Sequence, residues 1–272
     1  MPITADYHLH SSFSGDSETP MEKMILRGID LGLTKMCFTE HNDFDFPAND
    51  TDAENIFLLH ADSYLYDLLK LREKYADKIK ILFGVEIGLQ PHLARENAAF
   101  AKAHEYDFII ASSHICNGRD PYYPAFFAKR PAQDAFREYF ESILDNLHAY
   151  SNFDVYGHLD YVVRYSPTKE QGYSYEIFSE LFDQILTRLI HMEKGIEINT
   201  SSLAKGLQEP NPCRSIIKRY KELGGEIITV GSDAHDPGQI AFAFGQAAEI
   251  LKDCGFRYYT TFTERSPSFH RL

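Results

Sequence analysis

Histidines and carboxylates recur along this sequence where short apolar runs end. The first run closes in YHLH, residues 7–10, with His8 and His10 one residue apart and Asp16 six further on. Alternate side chains of a strand share a face. These two imidazoles therefore aim at one point, as two ligands of one metal must. Later runs end in Glu40 and His41 (TEH), Glu86 (GVEIG), His114 (SSH), His158 (GHLD), and Asp233 with His235 (SDAH). Glu197 and Asn199 sit on a further run, EINTS.

A satisfied core histidine explains any single member of this set. It does not explain six, gathered with acids at one series of run ends. Burying so many titratable groups together is costly unless a cation pairs with them. Mixed nitrogen and oxygen donors suit Zn, Mn or Fe better than Mg or Ca. One tetrahedral ion cannot use all of them, so the pattern predicts two or three metals. Such clusters activate water and clamp a phosphoryl group during in-line displacement. The other histidines (His60, His92, His104, His148, His191 and His270) fall on expected helices or in the tail and read as surface or structural residues.

The elements that must hold these residues follow a repeated strand–helix order. ITADYHLH, TKMCFTEH, IKILFGVEI, DFIIASSH, FDVYGHLD, IEINTS and EIITVGSDAH read as strands, and FRYYTTFT as an eighth strand or a tail. Helices are expected between them. TPMEKMILRGIDLG carries Thr19 as N-cap, Pro20 at the first helical position and Glu22 completing a capping box. A long helix is expected over residues 52–78. Near-continuous apolar strands in a βα repeat imply a parallel sheet. Seven or eight such units favour a closed α/β barrel, where strand ends meet at one face and build the site. No linker or internal repeat divides residues 1–272, so one domain is expected.

Composition narrows the partners. The chain has 272 residues, 44% hydrophobic and 25% charged, which suits a soluble domain with ample core. A formal charge of −13 argues against nonspecific binding of long nucleic acid, which needs Lys and Arg against phosphates. Cys37, Cys116, Cys213 and Cys254 show no CxxC spacing and read as reduced structural thiols. No signal peptide or membrane-length apolar run is visible, so the expected location is the cytoplasm.

Taken in order, HLH, TEH, the Glu of GVEIG, SSH, GHLD and SDAH resemble the motif series of the polymerase-and-histidinol-phosphatase metal-hydrolase superfamily. Length, GHLDYVVRY and EINTSSL resemble its stand-alone histidinol-phosphate phosphatase branch. The resemblance implies a distorted TIM-like (β/α)7 barrel with three metals at the C-terminal strand ends. By the family pattern His8, His10, Glu86 and Asp233 would hold one ion. His114 and His158, with Glu86 bridging, would hold a second, and Asp16, His41 and His235 a third. Some relatives carry His in place of Asp16. Glu40 would stand behind a ligand, or be a solvated strand-end acid.

Arg164, just past GHLD, has a planar fork suited to two phosphate oxygens, or is a surface arginine. Lys205 is a second substrate-binding candidate where the family often has arginine. The loop NGRDPYYPAFF, residues 117–127, either walls the pocket or packs as a surface loop. The resemblance implies hydrolysis of the phosphomonoester L-histidinol phosphate by a monomer or small homo-oligomer. A nucleotide phosphoesterase and a noncatalytic metal-binding docking barrel are the alternatives.

Overall fold

The computed structural model describes residues 2–47 and 55–272. Seven parallel strands lie in chain order: β1 (Ala5–Asp6), β2 (Lys35–Asn42), β3 (Lys80–Gly88), β4 (Phe108–Ser112), β5 (Val155–Tyr156), β6 (Gly195–Asn199) and β7 (Ile228–Gly231). Backbone hydrogen bonds from Tyr7 N to Val230 O (3.0 Å) and from Asp233 N to His8 O (2.7 Å) join the last strand to the first. The sheet thus curls into a barrel, distorted where β1 and β5 each keep only two paired residues. β3 is buried from Ile81 to Gly88, as a strand covered on both faces must be.

Helices α1 (Met21–Asp30), α2 (Ala61–Lys74), α3 (Ala94–Ala103), α4 (Ala132–Ala149), α5 (Ser179–His191), a short α6 (Ser201–Ala204), α7 (Arg214–Glu222) and α8 (Phe244–Asp253) follow the strands. α4 shows why they pack: Phe136, Tyr139, Phe140, Ile143 and Leu147 recur at helical spacing and are buried. None of the described helices is long and apolar enough to cross a membrane. All four cysteines are free and buried.

Three local expectations are corrected. Pro20, not Thr19, occupies the N-cap of α1, and no side chain caps it. Glu22 instead accepts from Lys74 Nζ and Tyr75 Oη, so a tertiary contact displaces the capping box. The helix expected over 52–78 begins only at Ala61; residues 52–54 lie outside the described ones. FRYYTTFT is a strand, but not of the barrel. β8 (Tyr258–Thr263) pairs antiparallel with β9 (Ser266–Arg271) in a separate hairpin. It closes the N-terminal mouth: Tyr7 Oη donates to Phe262 O at 2.6 Å, and the Phe262 ring lies 5.1 Å from Phe108.

Candidate metal centre

Strand register sets the centre. In the β2–β3 ladder His41 is the partner of Glu86, so both project from one level of the barrel. The Glu86 carboxylate is fully buried and divides its oxygens between two groups of imidazoles. Oε2 lies 3.0 Å from His8 Nε2, 3.5 Å from His10 Nε2 and 3.1 Å from His41 Nδ1. Oε1 lies 3.2 Å from His114 Nε2 and 3.0 Å from His158 Nε2. Asp233 Oδ1 stands 3.5 Å from His10 Nε2 and 3.7 Å from His8 Nε2. At the outer edge Asp16 Oδ2 lies 3.0 Å from His235 Nε2 and 3.6 Å from His41 Nε2. The rings of His41, His10 and His235 stack with centroids 4.2 and 4.3 Å apart.

The backbone is bent to achieve this. Asp233 takes φ 54° and His158 φ 21°, sparsely populated for non-glycine residues and typical of functional sites. Gly231 keeps room for His8, since a Cβ there would stand 2.3 Å from His8 Cβ and from Glu197 Oε1.

The carboxylates and imidazoles strongly shift one another's protonation. Burial alone would raise the Glu86 carboxyl, yet His8, His114 and His41 outweigh it and hold it well below the carboxylate range. Burial opposes charge on His8 and His114. The carboxylates of Glu197, Glu86 and Asp233 overcome it at His8, and those of Asp43 and Glu86 at His114, raising both well above normal. Burial also opposes charge on His41, but Asp16 and Glu86 carry it to about 9. His10 is held down at about 3 by burial and by neighbouring His41 and His235. Among the described residues His10 Nε2, His41 Nδ1, His158 Nδ1 and His235 Nε2 are buried without a hydrogen bond. Buried polar atoms are rarely left so, and imidazole nitrogens converging with carboxylates suit Zn, Mn or Fe. Four overlapping ligand-grade groups arise: His8–His10–Asp233, His8–Glu86–His158, His41–Glu86–His114 and His10–His41–His235.

Behind these candidate ligands stand residues that fix their orientation. Glu197 Oε1 holds His8 Nδ1 at 2.6 Å, and its Oε2 accepts the His158 N–H. Glu40 accepts from Ser11 and from Ser14 Oγ, and Ser14 Oγ in turn lies 3.1 Å from His10 Nδ1. Asp43 Oδ1 lies 2.7 Å from His114 Nδ1. Sequence reasoning passed over Asp43; its signal was an acid two residues beyond a strand-end histidine.

Arg164 is not a surface residue. Its side chain is 2% exposed, on a 3-10 turn over Tyr161–Tyr165. Nη1 donates to Asp233 Oδ2 at 2.9 Å, Nη2 to Asn199 Oδ1 at 2.7 Å and Nε to Asn211 Oδ1 at 2.6 Å. These bonds fix the guanidinium plane, and each Nη carries a second N–H. Lys205 reaches the same cavity but stays exposed, its Nζ 5.6 Å from the Tyr165 ring centre.

The cavity above the centre has a volume of about 480 Å³. Phe46, Phe57, Tyr122, Tyr161 and Tyr165 give it aromatic walls, and Asp43 and Asp120 give it acids. The 117–127 loop does both things expected of it. Tyr122 and Tyr123 wall the cavity, whereas Phe126 is buried, with the Arg119 and Arg130 guanidiniums 5.1 and 4.6 Å from its ring centre. The six histidines read as surface or structural lie away from the cavity lining.

With this geometry in place, relatedness is informative. A histidinol-phosphatase of Lactococcus lactis is 34% identical over 95% of this chain and 94% of its own. A Clostridium acetobutylicum chain named "Probable histidinol-phosphatase" is 32% identical over 93% of this chain and 94% of its own. The crystal structure of the L. lactis histidinol phosphate phosphatase, complexed with Zn, L-histidinol and phosphate, superposes with a TM-score of 0.89 at 33% identity. That match covers 97% of this chain and 98% of the other. The PHP domain model matches residues 6–201, from the His8–His10 pair through β6, and by that match and these relatives the chain belongs to the PHP domain family.

Proposed function

We propose that this chain is a metal-dependent phosphomonoesterase that hydrolyses L-histidinol phosphate to L-histidinol and phosphate. The observation carrying the reading is the Glu86 carboxylate, shared between two imidazole groups beside the Arg164 fork. It occurs in a chain that matches a histidinol-phosphatase along nearly its whole length.

His8, His10, Glu86 and Asp233 would hold one ion, His114 and His158 with Glu86 a second, and Asp16, His41 and His235 a third. Zn, Mn and Fe all suit these donors; the L. lactis relative holds Zn. Metal ions held there would lower the pKa of water and take up charge on phosphoryl oxygens. The protein's own contribution is orientation. Glu197 and Asp43 aim His8 and His114, and Asp233 ties the Arg164 plane to the ligand set. The outer Nη hydrogens of Arg164 then take two phosphoryl oxygens, and Lys205 adds positive charge from the exposed side. The aromatic walls suit a flat imidazole, and the acids suit an amine. Four free thiols suit the cytoplasm, and we place the protein there as a monomer or small homo-oligomer.

Phosphate release from L-histidinol phosphate, beside a panel of other phosphomonoesters and nucleotides, tests the reading. The metal-replete protein should favour histidinol phosphate. Exhaustive chelation should abolish turnover, and Zn, Mn or Fe should restore it. A nucleotide with the higher kcat/KM, or full turnover after verified metal removal, would overturn it.

A further inference from the structure

Asp43 belongs to none of the proposed ligand sets, yet it sits among them. It is 4% exposed, and its Oδ1 holds His114. Its other oxygen, Oδ2, is buried, makes no hydrogen bond among the described residues and lies 3.7 Å from His41 Nδ1. The chain is built to admit this carboxylate: a Cβ at Gly88 would stand 1.8 Å from Asp43 Oδ1. Asp43 also lines the cavity that Arg164 and the aromatic walls share.

A buried carboxylate oxygen without a donor is expensive, so a ligand is expected to meet it. A metal is one candidate. Among the described residues, however, Asp43 joins no convergent group of three metal-ligating side chains. The phosphoryl group is anionic and is excluded. What complements a buried anionic acceptor is a cationic donor with no acceptor of its own, which describes an alkylammonium.

We propose that Asp43 Oδ2 binds an ammonium group of the substrate, so that the site selects phosphomonoesters aminated on the carbon next to the ester carbon. This rests on the phosphomonoesterase reading above. An amine two carbons from the ester oxygen cannot travel far from the phosphoryl group. It must be met beside the metal ligands, where Asp43 lies. Asp120 is the competing acid of the cavity, and its Oδ1 already accepts the Tyr122 N–H at 2.7 Å.

The test compares two substrate pairs, 2-aminoethyl phosphate with ethyl phosphate and L-histidinol phosphate with its des-amino analogue. The metal-loaded parent should favour the aminated member of each pair by about tenfold to a hundredfold in kcat/KM. Asp43→Asn keeps an oxygen for His114 but puts an NH2 group where Oδ2 stood. Turnover should fall on every substrate as His114 loses its charged partner; the ratio within each pair is the readout. It should drop to near one, with metal content unchanged by elemental analysis. Gly88→Ala, which displaces the carboxylate while keeping its charge, should also lower the ratio and covers a failure of the Asn variant to fold. The inference is overturned if the parent shows no preference or if the ratio survives in the variants. Collapse in Asp120→Asn instead, or loss of metal from Asp43→Asn, overturns it equally. A parent that ignores histidinol phosphate yet prefers 2-aminoethyl over ethyl phosphate would sink the substrate reading and leave this inference standing.

Discussion

The two mouths of the barrel bury similar chemistry to opposite ends. At the N-terminal mouth Asp107 and Asp154 are buried acids met by several donors, although Arg72 Nε beside them has no hydrogen bond among the described residues. Asp154 Oδ2 accepts the Ile109 N–H at 2.8 Å and Arg265 Nε at 2.5 Å. Asp107 accepts from Phe83 N, Arg72 Nη2 and Glu264 N. The hairpin that supplies two of these donors is thereby locked in place. At the C-terminal mouth the carboxylates and imidazoles outnumber the donors that could satisfy them, and several atoms have no hydrogen bond among the described residues. A satisfied polar network stabilises a fold; a convergent, under-satisfied one is a site that a ligand completes.

Substitutions should separate the two mouths. The largest effect is expected from Glu86→Gln, which removes the charge shared by five imidazoles. Turnover should fall at least about a hundredfold, roughly 3 kcal/mol, while circular dichroism stays that of the parent. Elemental analysis should show metal loss; a folded variant with full metal and near-normal kcat would overturn the proposed bridging role of Glu86. Arg164→Met comes next. A charge-assisted fork is worth roughly 1.5–3 kcal/mol, so kcat/KM should fall about tenfold to a hundredfold with metal content kept. Inorganic phosphate should inhibit the variant less well than the parent, and lysine should rescue only in part.

Arg265→Ala tests the opposite mouth. It leaves the Asp154 carboxylate buried with its backbone donor alone. Stripping a buried pair of one partner is costly, but Arg265 is 28% exposed and solvent reduces the loss. About 2 kcal/mol is expected, a fall in Tm of about 4–8 °C by calorimetry. Turnover per metal-loaded molecule at low temperature should match the parent, because no Arg265 contact reaches the centre. Lost activity without lost stability would mean that the two mouths are coupled.

Much of the upper mouth is legible in the sequence because barrel topology converts position along the chain into position in space. Every strand end carries its polar residue to one rim, so the gathering of His8, His10, His41, Glu86, His114, His158 and Asp233 there is legible from their places alone. The residues behind them were not. Asp43 and Asn211 lie on loops whose paths no periodicity encodes, and their roles exist only after folding brings them to His114 and Arg164. The hairpin was ambiguous for a related reason. An apolar strand looks the same whether it joins a barrel or plugs one, and partner choice rests on contacts distant in sequence. The N-cap of α1 failed where a local motif, Thr19 with Glu22, lost to Lys74 and Tyr75.

The smallest effect is expected at Lys205, and its size measures how sharply the site ends. Lys205 lines the cavity that Arg164 lines, but α6 ends one residue before it and leaves its chain exposed. Its ammonium lies 5.6 Å from the Tyr165 ring centre, a cation–π contact that solvent screens. Exposed charges of this kind contribute about 0.2–1 kcal/mol, so Lys205→Gln should cost about 1.4-fold to fivefold in kcat/KM. The loss should fall in KM rather than kcat, since a screened charge attracts the anionic substrate without tightening on the transition state. It should also shrink as salt rises, because added ions replace what the lysine supplies. Arg164, buried and tied to Asp233, should show no such salt dependence in its own deficit. A Lys205→Gln deficit as large as that of Arg164→Met, and constant from low to high salt, would mean that Lys205 closes onto the phosphoryl group and that the site extends to α6.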